Sequence, residues 1–296
     1  MKTILSVVFL ALTTAVSAQQ MPYAESVPGG VVVVTLGTAS VDSAPPHAEF
    51  RDLRVMVVRQ QDKWKAVIGL PLKLAPGKYD VTETLADGSK HLYPFHVTAK
   101  KYPSQYITLK NKRQVDLTKA ELERYYRDVK QINRAKDTWS NVAAPPLRLD
   151  LPVRGGWISS AFGLRRFFNK EPRSPHAGID LAVPVGTPVR APAAGVVLET
   201  QNFFFTGNTI FLDHGQGLIT MYCHLSHFDV KPGEHVRRGQ VIAESGATGR
   251  VTGPHLHWSV ILNHALVDPT AFVSHEAMAS VPTHRPQPIH TASAGS

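Results

Sequence analysis

Short runs rich in Val, Ile and aromatic residues recur through the first hundred positions, each closed by Gly, Pro or Asp. They fall at 30–35, 53–58, 64–69, 77–82 and 91–97. Runs of this length, β-branched and bounded by Pro-Gly and Asp-Gly pairs, read as strands rather than helices. Asp87-Gly88, between the last two runs, is the clearest hairpin signal. Several such strands within about ninety residues predict a small Ig-like β-sandwich over 19–110.

From 116 to 135 the period lengthens. Thr118 followed by Glu121 has the spacing of a capping box, and Leu122, Tyr126, Val129 and Ile132 recur three or four apart. This predicts a linker helix with one apolar stripe, and Pro145-Pro146 closes the linker, 111–150. Strand-like runs then return at 158–162, 195–200, 208–213, 218–224, 240–244 and 255–262, with 184–192 and 230–239 reading as turns or loops. The span 151–273 is expected to be an antiparallel, two-layer β domain with a groove. The fold class is therefore mainly β. Residues 274–296 are rich in Pro and carry His284 and His290 as weak adventitious metal candidates, which predicts a tail without fixed structure.

Residues 1–18 interrupt this pattern at the start. Lys2, an apolar run over 4–12 and Val16-Ser17-Ala18 describe a secretory signal peptide, with the mature chain beginning at Gln19. The run is too short and too early broken, by Thr13, Thr14 and Ser17, for a transmembrane helix. Export is therefore expected, to the periplasm before the medium.

A 43% hydrophobic content over 296 residues supports one or two domains with real cores. The single cysteine, Cys223, excludes an intramolecular disulfide, so core packing and any bound metal must hold an exported chain together. The net charge of +9 is local: residues 100–136 hold eleven Lys or Arg against four Asp or Glu. In an exported protein such a stretch suits cell wall, envelope lipid or teichoic acid rather than nucleic acid, the alternative being a solvated helix face.

Chemistry is concentrated in three later segments. His255 and His257, two apart in an extended run, project from one face and can reach one metal or one substrate. Pro175-His176-Ala177-Gly178-Ile179-Asp180 resists a helix and sets His176 and Asp180 on one face of an extended segment. Tyr222 and His224 share a face of a third run, with Cys223 turned away from His224 as a small buried hydrophobe. His47, His91 and His96 are isolated, while His214 and His227 lie nearby and read as a turn residue and a solvent-facing residue, not as ligands.

Together these segments resemble the lysostaphin/LytM-type zinc metallopeptidases, which cut peptidoglycan cross-bridges. The resemblance runs over about 152–272 and includes Ser160-x-Phe162-Gly163-x-Arg165, Asp213-His214-Gly215 and the stretch 246–253. No core position departs from the pattern, although Ala is more usual where Cys223 stands. It implies one zinc ion held by His176, Asp180 and His257, with His224 and His255 as proton donors and acceptors. Tyr222 would then support the oxyanion or simply pack, and Arg165 would bind a substrate carboxylate, support the site or serve structure. Peptidoglycan is the implied substrate. The alternatives are a non-catalytic wall-binding or amidase-activating protein on the same fold, against which the complete ligand set argues, and a secreted bacteriolytic toxin. The amino-terminal β unit is expected to place or gate the second domain.

Overall fold

The structure, a computed structural model, describes residues 20–40, 43–107, 117–168, 171–172 and 174–283. The expected signal peptide, the basic positions Lys110, Lys112 and Arg113, and the histidines His284 and His290 lie outside the described residues.

The amino-terminal unit comprises β1 (Val31–Thr38), β2 (His47–Phe50), β3 (Leu53–Arg54), β4 (Met56–Gln60), β5 (Lys63–Gly69), β6 (Gly77–Thr84) and β7 (Lys90–Val97). Two antiparallel sheets, β1-β5-β4 and β3-β2-β6-β7, face each other as a sandwich. Phe50, Trp64, Ile68, Val81 and Val97 fill the space between them. The Asp87-Gly88 turn joins β6 to β7, with Gly88 at a φ of 81° and its N–H bonded to the Leu85 carbonyl. β2, which the hydrophobic pattern does not single out, is held by pairing with β6.

The runs in β1, β4 and β5 do not alternate because their sheet is buried on both faces. Val32, Val57, Ala66 and Ile68 point into the sandwich, whereas Val31, Met56, Val58 and Val67 join the core of the second unit. Two side-chain amides close this seam. Gln216 Oε1 accepts from Val57 N–H at 3.0 Å, and Asn263 Oδ1 accepts from Gly69 N–H at 2.9 Å. Both satisfy main-chain donors that would otherwise be buried without partners.

After β8 (Ser104–Ile107), α1 spans Lys119–Lys136 and begins with the expected capping box: Thr118 Oγ1 accepts from Glu121 N–H, and Glu121 Oε2 from Thr118 N–H. Its packed face is not the expected stripe. Leu122 and Tyr126 are exposed, while Tyr125, Asp128, Ile132 and Ala135 turn inward. The partner decides this: Asp128 Oδ2 accepts from Phe204 N–H at 2.6 Å and Arg124 donates to Asn202 Oδ1 at 2.8 Å, so the helix docks by polar contacts on a hairpin tip.

The second unit contains β9 (Trp157–Ser160), β10 (Arg165–Phe168), β11 (Glu171–Pro172), β12 (Ile179–Ala182), β13 (Pro188–Arg190), β14 (Gly195–Phe203), β15 (Gly207–Asp213) and β16 (Leu218–Leu225). There follow β17 (His227–Phe228), β18 (His235–Val236), β19 (Val241–Glu244), β20 (Leu256–Leu262) and β21 (Ala265–Val267). The main sheet runs β18-β14-β15-β16-β20-β12-β9, antiparallel throughout, and β13-β19-β17 forms a second small sheet. β13 and β18 occupy segments that read as loops, since two- and three-residue strands leave no period to detect. β8 pairs with β10 in parallel, tying the segment after β7 to the second unit.

The tail expectation is corrected over 274–283. Residues His275–Ala279 form α2, capped by Ser274, and the Pro282 carbonyl accepts from Ile158 N–H at 2.8 Å. Tyr23 stacks between the His275 ring and the Arg148 guanidinium, which supplies the anchorage that the segment's polar composition conceals.

Candidate metal centre

β12 lies between β9 and β20 and places Asp180 opposite His257 in one ladder and opposite Ser160 in the other. Directly paired residues project from the same face, so Asp180 and His257 meet there. His176 precedes the strand and is fixed by its main chain: its N–H donates to the Leu164 carbonyl, and its carbonyl accepts from Gly163 N–H. The bend at Gly178 then swings its ring back over Asp180. A Cβ on Gly178 would stand 2.5 Å from the Trp258 carbonyl oxygen and 2.8 Å from His257 Cε1, so glycine is required for β12 to come this close.

Three atoms converge. His176 Nε2 lies 2.9 Å from Asp180 Oδ1 and 3.0 Å from His257 Nδ1, and His257 Nδ1 lies 2.8 Å from Asp180 Oδ1. The opposite nitrogen of each ring is engaged: His176 Nδ1–H donates to the Ala161 carbonyl at 2.8 Å, and His257 Nε2–H to Ser259 Oγ at 2.8 Å. With the opposite nitrogens so held, the converging ones can give lone pairs to an ion that would displace any proton shared with Asp180, the usual arrangement behind metal-ligating histidines.

Burial opposes ionisation of Asp180, but hydrogen bonds from His176 and His257, together with their charge, outweigh it and hold the carboxyl well below the usual carboxylate range. Burial lowers the pKa of His257, against the pull of Asp180. Two imidazole nitrogens and one carboxylate oxygen are a zinc donor set; calcium and magnesium prefer oxygen throughout. Donors on one tetrahedral zinc stand about 3.3 Å apart, so this triangle has to open by only about 0.4 Å. Three ligands leave a fourth position for water or substrate. The residues fit the ion.

His224 and His255 stand beside this triangle. Their ring centroids are 4.7 Å apart, and that of His224 is 6.1 Å from that of His257. His224 Nδ1–H donates to the Thr248 carbonyl and His255 Nδ1–H to the Gly253 carbonyl, both at 2.9 Å. Each ring is thereby left with Nε2 available; that of His255 lies 3.8 Å from Asp180 Oδ1. Burial, followed by the charges of His255 and His257, brings the His224 pKa down to about 4.

Simple strand alternation fails at His224, whose φ is 64°. A non-glycine residue in the left-handed region is uncommon and concentrates at functional sites. The twist carries His224 to the side of His257, and Gly246 makes room for it: a Cβ there would meet the His224 carbonyl oxygen at 2.7 Å. Tyr222 and His224 therefore do not share a face. Tyr222 is fully buried in the main core and its hydroxyl bonds Thr220 Oγ1 at 2.8 Å, so it packs and gives no oxyanion support. Cys223 pairs with His257 across the ladder. It remains a buried hydrophobe, its thiol pushed up to about 12 by burial.

Arg165 does not join the triangle. It is exposed on β10, its guanidinium 5.4 Å from the Phe167 ring, in the wall of a cavity between the two units. Sequence reasoning misses Ser259, although it lies two residues past His257 on the same strand face, a legible signal. The carbonyls of Ala161, Thr248 and Gly253 leave no trace in residue type.

Two family models match: peptidase family M23 over residues 174–269, and the peptidase family M23 N-terminal domain over residues 24–100. A crystal structure of a putative peptidase M23 from Pseudomonas aeruginosa is 41% identical with a TM-score of 0.71, covering 84% of this chain and 96% of that one. The chain belongs to peptidase family M23. The peptidoglycan DD-endopeptidase ShyA of Vibrio cholerae is 49% identical over 113 residues, 38% of this chain and 26% of that protein. The DD-carboxypeptidase/endopeptidase Mpg of Neisseria meningitidis is 44% identical over 114 residues, 38% of this chain and 26% of that protein. The matched part thus spans about a quarter of the length of these curated relatives.

Proposed function

We propose that this M23 protein is a zinc metalloendopeptidase that hydrolyses peptide cross-links of peptidoglycan. The observation that carries the reading is the convergence of His176 Nε2, Asp180 Oδ1 and His257 Nδ1 within 3.0 Å of one another, with His224 and His255 alongside. The names of ShyA and Mpg support the choice of peptidoglycan.

His176, Asp180 and His257 are the proposed ligands. A zinc ion held by them supplies a Lewis acid that polarises the scissile carbonyl and makes water a better nucleophile near neutral pH. His224, neutral because burial keeps its pKa near 4, offers its Nε2 lone pair to take a proton from the attacking water. His255, held by Gly253, donates from Nε2 to the developing oxyanion or to the leaving amine when protonated. Amide hydrolysis then needs no acyl-enzyme. Cys223 is unsuited to that role, since its buried thiol stays protonated.

Work on the cell wall, together with the signal-like residues 1–18, supports export and a periplasmic location. Among the described residues no helix is long and apolar enough to cross a membrane. The exposed side of α1 carries Lys119, Arg127, Lys130 and Arg134 and supports retention on an anionic envelope polymer. Lys100 contributes less, being paired with Glu25 at 2.6 Å.

The test is digestion of purified sacculi followed by mass analysis of the released fragments. Peptide-linked dimers converted to monomers, with the conversion abolished by a chelator and restored by zinc, is the expected result. Intact cross-links in the presence of zinc would overturn the proposal.

A further inference from the structure

The seam between the two units holds a cavity of about 430 Å3 that neither unit encloses alone. Pro28, Leu72 and Tyr102 line it from the amino-terminal side, and Gly163, Arg165 and Pro175 from the other. The second wall continues into the metal centre, because Pro175 adjoins His176 and both Gly163 and Leu164 pair with the His176 main chain.

Resting on the endopeptidase reading, we infer that this cavity is a subsite for a free carboxylate on the peptide substrate, with Lys101 and Arg165 as the recognising cations. The amino-terminal unit then contributes directly to substrate choice.

Charge supports this. Lys100, Lys101 and Arg165 line the cavity, and among the described residues no acidic one does. Lys100 is engaged by Glu25 Oε2 at 2.6 Å, but neither Lys101 nor Arg165 makes an ion pair among the described residues. Two exposed cations in the wall of one cavity repel each other, and an anion bound in the cavity lowers that cost. The guanidinium of Arg165 offers a fork that fits a carboxylate.

Shape supports it as well. Pro28, Leu72 and Pro76 give the cavity an apolar side, suited to a short aliphatic segment that ends in the carboxylate. The walls are held before any ligand arrives: Tyr102 Oη donates to the Pro28 carbonyl at 2.8 Å, and Arg165 N–H to the Pro103 carbonyl at 2.9 Å. A preformed site loses little on binding.

The experiment uses the zinc-loaded full chain and two cross-linked peptides that differ only in one carboxylate, free in one and amidated in the other. The wild type should have a KM about tenfold lower for the acid, the scale of one charge-assisted contact. In the double variant Lys101→Gln/Arg165→Gln the ratio should collapse to about one, whereas Lys101→Arg/Arg165→Lys should keep part of it. Equal KM values in the wild type, or an undiminished ratio in the Gln variant, would overturn the inference. Binding of both peptides, followed by calorimetry, separates it from the reading beneath it. If neither peptide is cleaved the endopeptidase proposal fails, yet a binding preference for the acid that the Gln variant loses still supports the subsite, and equal binding rejects it.

Discussion

Asp180 and His257 face each other across the β12–β20 ladder, with Oδ1 and Nδ1 2.8 Å apart. Sheet register, not loop conformation, sets this distance. Two of the three converging donors are therefore held by main-chain pairing on neighbouring strands, and His176 is brought to them by the bend at Gly178. A site mounted on strands is positioned more tightly than one on loops.

Gly178 makes this dependence testable. In Gly178→Ala the new methyl would press on the Trp258 carbonyl and the His257 ring, so β12 must shift from β20. Zinc affinity should fall about 10- to 100-fold, the range for disturbed support of a metal site. Gly253→Ala, whose Cβ meets nothing within 4 Å, is the matched control and should bind zinc like the wild type. Competition titration against a chromogenic chelator reads both.

The seam amides should govern stability without touching the metal. Gln216→Ala and Asn263→Ala leave the N–H groups of Val57 and Gly69 without their side-chain acceptors. Each should cost about 1–3 kcal/mol, the penalty for a buried donor left unpaired. Urea unfolding of each variant measures it, and zinc content should stay at the wild-type level.

His214 predicts an acid sensitivity separate from catalysis. It donates from Nδ1 to the Ala194 carbonyl, and its Nε2 lies 2.8 Å from Thr220 Oγ1, which continues to Tyr222. Burial lowers its pKa to about 4, against the pull of the Ala194 carbonyl and Asp213. The folded pKa lies below the unfolded value near 6.5, so the unfolded chain takes up the proton first. The stabilisation is complete above pH 6.5 and is lost as the pH falls towards 4, on the order of 3 kcal/mol across that window. Urea midpoints of chelator-treated wild type and His214→Asn should converge as the pH falls. A gap independent of pH would refute the assignment.

Much of this architecture is legible in the amino-acid sequence. The β class, the Asp87-Gly88 hairpin and the Thr118–Glu121 box follow from local chemistry, and local chemistry is what a sequence states directly. His176, Asp180, His224, His255 and His257 are legible as a group because their types and spacings recur in one known framework. Three features are not. The packed face of α1 depends on Phe204 N–H and Asn202, whose proximity is tertiary. The orientation of His224 depends on one backbone angle of 64°, which reverses the alternation that would place Tyr222 beside it. The shared core across the seam gives β1, β4 and β5 their unbroken apolar runs, but such runs do not say what covers the second face.

The roles proposed for the histidines separate most directly by metal content. His257→Ala removes one of three donors and should purify with little zinc and a lowered thermal midpoint, because metal binding is linked to folding. His255→Ala and His224→Ala leave His176, Asp180 and His257 in place. They should keep about one zinc per chain while cross-link cleavage falls by roughly two orders of magnitude or more. Metal analysis of the three purified variants beside the wild type is the deciding measurement. Zinc lost from His257→Ala and retained in the other two is the predicted result; zinc retained in His257→Ala and lost from His255→Ala would contradict the account.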